Sequence, residues 1–132
     1  MRFAAPQAKI PPKAAKQAAM LVEKTKDLPV SFPYTRPDAD KKLARITLET
    51  LERSDAASAA ANLIRGYINV SGSARGNPGL GVKRLTPRIA YLRHANGVRV
   101  FFRDSGKAIE VLVIADKGNE QSAISHLMQL KP

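Results

Sequence analysis

The sequence predicts an α+β fold: N-terminal helices packed on one face of a small antiparallel β-sheet, with a short helix at the C-terminal end. Three observations lead there. Apolar residues recur at helical spacing up to about residue 70, the period changes to two after Val82, and the tight-turn signals Asn96-Gly97 and Ser105-Gly106 divide the second half into three segments. A length of 132 residues suits one domain, mainly helical over 1–70, a sheet over 82–116 and helical again over 120–130.

The first helix is expected over Pro12 to Asp27. Ala14, Ala18, Leu21, Val22, Thr25 and Leu28 fall at helical spacing, Pro12 suits a first turn, and Pro29 stands just beyond the end. After a segment with two prolines and two aromatic residues, Asp38 is placed to cap a second helix whose Leu43, Ile46, Thr47, Thr50 and Leu51 share a face. Ser54 or Asp55 caps a third, alanine-rich run through Ala59, Leu63, Ile64 and Tyr67, and the glycines of Ser71 to Gly81 read as a loop. Strands are expected near Arg88 to Ala95, Val98 to Asp104 and Lys107 to Ala115, with the last helix near Glu120 to Leu130.

A two-residue turn at Asn96-Gly97 pairs Ala95 with Val98, Arg93 with Val100 and Tyr91 with Phe102. One face then carries Ile89, Tyr91, Val98, Val100, Phe102, Ile109, Val111 and Val113 as a core. The other carries Arg88, Leu92, His94, Arg99, Phe101, Arg103 and Glu110, with basic groups interleaved with an aromatic ring, as a binding surface for an anionic partner.

Charge favours the same region. The formal net charge is +11, and residues 71–107 hold eight lysines and arginines against Asp104 alone. Such a balance bears on partners and association rates rather than on fold, and it points to nucleic acid, the ribosome or an acidic protein. A solvated sheet face accounts for these arginines equally well when each is taken singly. With 44% hydrophobic residues, the chain has enough apolar material to pack.

Several classes are excluded. There is no cysteine, hence no disulfide or thiolate chemistry; the compartment expected is the cytoplasm. No stretch approaches the ~20 apolar residues of a membrane span. His94 and His126 lack metal-ligand spacing, and no metal or other cofactor is expected. The run Gly76-Asn77-Pro78-Gly79-Leu80-Gly81 continues into Val82-Lys83, without the Lys and Ser/Thr of a phosphate loop, and no serine sits in a nucleophile elbow. Arginine, lysine and sparse histidine remain. That set supports metal-free RNA cleavage, in which a 2′-hydroxyl attacks the adjacent phosphorus and the protein supplies a base, an acid and cations for the phosphoryl oxygens.

The segments Gly81-Val82-Lys83-Arg84-Leu85, Tyr91-Leu92-Arg93, Gly97-Val98-Arg99-Val100-Phe101-Phe102-Arg103 and Ile109 to Asp116-Lys117, with Gln121 and Ile124, resemble the RelE/ParE toxin superfamily, in particular its HigB-like addiction-module killer branch. The match spans roughly residues 81 to 126. The resemblance implies a RelE-like fold and the toxin of a bacterial toxin–antitoxin pair, an endoribonuclease acting on messenger RNA at the ribosome and neutralised by a cognate antitoxin. By position it marks Arg93, Arg99 and Lys117 as catalytic, together with His126, near the end of the chain where RNA-cleaving members carry a tyrosine or histidine. Lys83 and Arg84 match upstream basic positions and, with Arg88, His94, Phe101 and Arg103, form the expected RNA-binding set. Two departures stand out: Gly118-Asn119 follow Lys117 where those members often have another basic residue, and the family's leading strand has only Arg2-Phe3-Ala4 to represent it near the N-terminus. Other functions the sequence admits are a toxin of the same fold that inhibits DNA gyrase, a basic module binding RNA or an acidic protein, and a delivered toxin domain matched by an immunity protein. Oligomeric state is left open.

Overall fold

The computed structural model describes residues 12–32, 39–53, 55–70, 82–94 and 96–130. Four helices, α1 (Pro12–Lys24), α2 (Lys41–Arg53), α3 (Ala56–Val70) and α4 (Glu120–Gln129), accompany five strands, β1 (Val30–Ser31), β2 (Lys83–Arg84), β3 (Ala90–Arg93), β4 (Arg99–Asp104) and β5 (Ile109–Ala115). The sheet order is β1-β5-β4-β3-β2. Strands β3 to β5 form the expected antiparallel meander, β2 adds a short antiparallel strand at its edge, and β1 joins β5 in parallel, so the sheet is mixed. The α+β class stands. The expected caps Asp38 and Ser54 and the loop Ser71 to Gly81 lie outside the described residues.

Helix α1 ends at Lys24, before the expected Asp27, with the Thr25 hydroxyl donating to the Leu21 carbonyl at 2.8 Å inside the core. Neighbouring helices satisfy each other's free amides. Glu52 of α2 accepts from the Ala14 amide at 2.9 Å, and Gln17 of α1 accepts from the Ala57 amide at 3.2 Å. The cap of α2 is Asp40, whose Oδ1 accepts from the amides of Lys42 and Leu43 at 2.9 and 3.0 Å. Ala56, Ala57, Ala60 and Ala61 of α3 are buried with Ala14 and Ala18 of α1, and their small side chains let the two helices approach closely.

The hairpin differs from expectation by one residue, and every face assignment on β4 changes with it. The His94 amide donates to the Val98 carbonyl at 2.8 Å and the Gly97 amide to the His94 carbonyl at 2.9 Å, so the hairpin closes on His94 and Val98, one residue earlier on the β3 side than a two-residue turn requires. Gly97 takes a φ of +100°, a conformation open to glycine, and Asn96 Oδ1 accepts from the Val98 amide at 3.0 Å. The added loop residue pairs Tyr91 with Phe101, Leu92 with Val100 and Arg93 with Arg99. Since side chains alternate with period two, Arg99, Phe101 and Arg103 share the side of Tyr91 and Arg93, while Val100 and Phe102 join Ala90 and Leu92. A bulge in β5 then places Leu112 and Val113 together on the side of Phe101.

Both faces of the sheet are apolar and covered. Ala90, Leu92, Val98, Val100, Phe102, Ile109, Val111 and Ile114 pack with buried residues of α1 and α3 and with Leu51 of α2. Ile89, Phe101, Leu112, Val113 and Ala115 pack with Leu43 and Ile46 of α2 and with Ala123 and Leu127 of α4. The expected binding face is thus divided: Phe101 lies in this second core with Arg99 beside it at 5% exposure, while Leu92 is buried in the first. Helix α2 serves both cores because it runs beside β5, which β1 pairs only at Ile109 and Glu110. Past that point Thr47 Oγ1 accepts from the Ile114 amide at 3.0 Å while donating to the Leu43 carbonyl at 2.9 Å.

Thr47→Val keeps shape and removes this acceptor, leaving a buried amide unsatisfied. Urea unfolding is expected to show a loss of about 1–3 kcal/mol. Phe101→Ala is expected to cost about 3–5 kcal/mol in the same measurement, since the ring is fully enclosed; a near-neutral effect would restore the two-residue turn.

Candidate nucleic-acid interface

Alternation on the edge strands decides which basic groups meet. Lys83 lies opposite Tyr91 and Arg93 lies opposite Arg99, so on the α4 side of the sheet these four occupy neighbouring positions on β2, β3 and β4. Arg99 is also opposite Ala115, two residues before Lys117, and the Lys117 side chain passes the hairpin turn with Cγ 3.7 Å from where a Cβ on Gly97 would stand. Arg93, Arg99 and Lys117, which the sequence resemblance marks together, therefore gather at one end of one face, beside Lys83. Lys83, Arg93 and Lys117 are exposed and Tyr91 is half-buried, its ring 4.8 Å from that of Phe101. An aromatic ring among cations suits single-stranded nucleic acid, whose bases stack on rings while cations hold the phosphates.

Arg99 differs from the others in being buried. Like charges directly opposite each other destabilise a sheet, and Arg93 faces Arg99. The opposing charge comes from α4: Glu120 Oε2 lies 2.9 Å from Arg99 Nε, and Arg99 Nη1 donates to the Gly97 carbonyl. The Nε contact is an ion pair without hydrogen-bond alignment, so Nε remains a buried donor with no acceptor aligned to it.

The turn that starts α4 is anchored on α2. Asp116 Oδ1 accepts from the Gly118 amide at 2.8 Å and the Asn119 amide at 3.2 Å, and Arg53 Nη2 lies 3.1 and 3.0 Å from the two Asp116 oxygens. Asn119 Nδ2 donates to Thr50 Oγ1 at 3.0 Å. Lys117 lies within this turn and Glu120 directly follows it.

The remaining expected residues separate from that cluster. His126 turns toward the start of α2, with Nε2 2.9 Å from Asp40 Oδ2. His94 is half-buried in the hairpin, where Nδ1 accepts from the Asn96 amide at 3.2 Å. Arg103 lies on the same side as Arg99 but toward the opposite end, 3.8 Å from Glu110. Arg84 points with Ala90 to the α3 side, and Arg84, Arg88 and Arg103 line an open cleft of about 630 Å³ with Tyr67, Phe102 and Asp104. Phe101 offers no surface at all.

Tyr91, Glu120 and Asp40 were not singled out from sequence. For Tyr91 a signal existed, since it stands two residues from Arg93 and so shares its face whatever the turn. Glu120 and Asp40 become visible only when α4 and α2 are placed. Among the described residues no group of histidine and carboxylate side chains could hold a metal ion, and no helix is long and apolar enough to cross a membrane. Compared with known proteins, the chain matches no family model, no curated protein and no solved structure.

Asp40 makes the link between α2 and α4 sensitive to acid. Burial pushes its carboxyl up, but the hydrogen bond from His126, the amides of Leu43 and Lys42 and the imidazolium charge outweigh burial and hold it below the ordinary carboxylate value. A carboxyl whose folded pKa is depressed contributes stability that is present above its unfolded value and is lost as pH falls through the folded one. In His126→Asn the Asp40 titration, followed by carboxyl-carbon NMR, is expected to move upward, and acid unfolding to begin at higher pH than in the wild type.

Proposed function

We propose that this chain is the toxin of a bacterial toxin–antitoxin pair, an endoribonuclease that cleaves messenger RNA at the ribosome without a metal. The observation that carries the reading is the convergence of Arg93, Arg99 and Lys117 beside Lys83 and Tyr91. These positions come from three separate stretches of sequence, and they are the same three that the resemblance marks. The order of elements adds support. The family pattern opens with a strand, and Val30–Ser31 supplies one, ahead of the α2–α3 pair and the four-strand meander but behind an additional helix.

In this reading Arg93 grips the phosphate at the scissile bond, because its guanidinium stays charged and presents a planar fork to two oxygens. Lys83 and Lys117 neutralise charge on the phosphoryl oxygens, and the lysines or the Tyr91 hydroxyl take the proton of the 2′-hydroxyl as it bonds to phosphorus and return one to the 5′-oxygen as its bond to phosphorus breaks. Tyr91 stacks on a base of the unpaired strand. Arg99 stands beneath them, within the fold rather than on its surface. The target places the activity in the cytoplasm, and the surface that engages RNA is the one an acidic antitoxin or immunity protein must cover.

A second reading keeps the surface and drops the chemistry: a toxin that poisons DNA gyrase, or a module that only holds RNA. One observation favours it. His126, the histidine near the C-terminus, is committed to Asp40 and lies apart from the cluster, so that no histidine among the described residues stands there to transfer protons.

One experiment separates the two. Purified protein is added to translating ribosomes in which free metal is buffered at the level translation requires, and to naked messenger RNA in EDTA, and new 5′ ends are mapped. Discrete cleavage is expected, and Arg93→Ala should lower its rate by about 10²-fold with the thermal midpoint unchanged, since the side chain is exposed and makes no ion pair among the described residues. Intact RNA in both assays, with growth arrest on expression, would select the non-enzymatic reading.

A further inference from the structure

We infer that Glu120 is an internal stand-in for phosphate: its carboxylate occupies the place at Arg99 that an RNA phosphate takes on binding, and so sets the affinity of the site. The inference rests on the RNA-directed reading above and adds a residue that the resemblance does not mark.

Three features of the site support it. Arg99 is 5% exposed, yet its Nε has no aligned acceptor, so the buried guanidinium is only partly satisfied by Glu120 at 2.9 Å. A buried donor left in that state favours any anion able to align with it. The local charge also remains unbalanced, because Arg93 across the strand pair and Lys117 at the turn have no acidic partner among the described residues, leaving one carboxylate among three cations. Finally, the carboxylate can leave without the helix moving. Glu120 is in the first turn of α4, its side chain a quarter exposed, while the backbone before it is tied to α2 through Asn119 to Thr50 and Asp116 to Arg53. Rotation of one side chain into solvent opens Arg99 and also exposes the amide end of α4, which favours an anion in the same place.

A structural ion pair and an internal competitor give opposite signs when the carboxylate is neutralised. Glu120→Gln in a merely structural role loosens Arg99 and weakens RNA binding. As a competitor it vacates the site and strengthens binding, at some loss of thermal stability.

The test uses the full chain and a short fluorescent 2′-O-methyl oligoribonucleotide, which binds but cannot be cleaved, followed by anisotropy at fixed salt. Glu120→Gln is expected to bind roughly tenfold more tightly than wild type, the scale of one charge-assisted phosphate contact. Glu120→Ser, equally suited to a helix start, should change affinity in the same direction, and the gain should vanish when Arg99→Gln is added. Unchanged or weaker binding in both Glu120 variants overturns the inference, as does a gain that persists without Arg99. The two levels of failure separate through Arg93→Ala. If that variant loses affinity while the Glu120 variants gain none, only the inference falls; if it binds as tightly as wild type, the RNA-directed reading falls with it.

Discussion

The hydrogen bond from the Ile114 amide to Thr47 carries more of this structure than its size suggests. Strand β5 lies inside the sheet by spatial order, but its partner β1 is only two residues long, so among the described residues most of one side of β5 has no strand beside it. An unpaired edge buried in a fold is costly, because each free amide forfeits the water it leaves. Helix α2 fills the gap with a hydroxyl that accepts from the sheet while donating to its own preceding turn. The helix is thereby fixed alongside the edge, neither above the sheet nor below it.

From that position α2 organises both cores and the turn that presents the site. Leu51 faces the core shared with α1 and α3, while Leu43 and Ile46 face the one beneath α4. Thr50 and Arg53 hold the β5–α4 turn, and Asp40 holds His126 at the other end of α4. Lys117 sits in the held turn and Glu120 directly after it, so the basic cluster has a fixed border on one side and an exposed rim at Lys83 and Arg93 on the other. Rigid support beneath exposed cations keeps their spacing matched to the backbone they are proposed to grip.

Much of the fold was legible in the chain. Three helices and the last one follow from apolar spacing, and three strands from the change of period. Those patterns reflect contacts that every residue of an element repeats, so a local error at one position does little harm. The two short strands escaped because two residues cannot display a period, and β1 exists through its pairing with β5 rather than through its own composition. For the candidate cluster the sequence supplies residue names without their geometry. Arg93, Arg99, Lys117 and Lys83 were named, whereas Phe101 and Arg103 were carried along by an assumed face.

By itself the sequence determined the α+β class, the concentration of positive charge in the sheet region and the residue types that can hold phosphate, since each depends on local periodicity or on composition. Tertiary structure decided where those residues point. One extra residue in the hairpin turned Arg99 and Phe101 from the surface into a second core, because side chains on a strand alternate and a shift of one reverses them all. It also decided that Glu120 meets Arg99, and His126 meets Asp40, by placing α4 across a face that the sequence had left open to solvent.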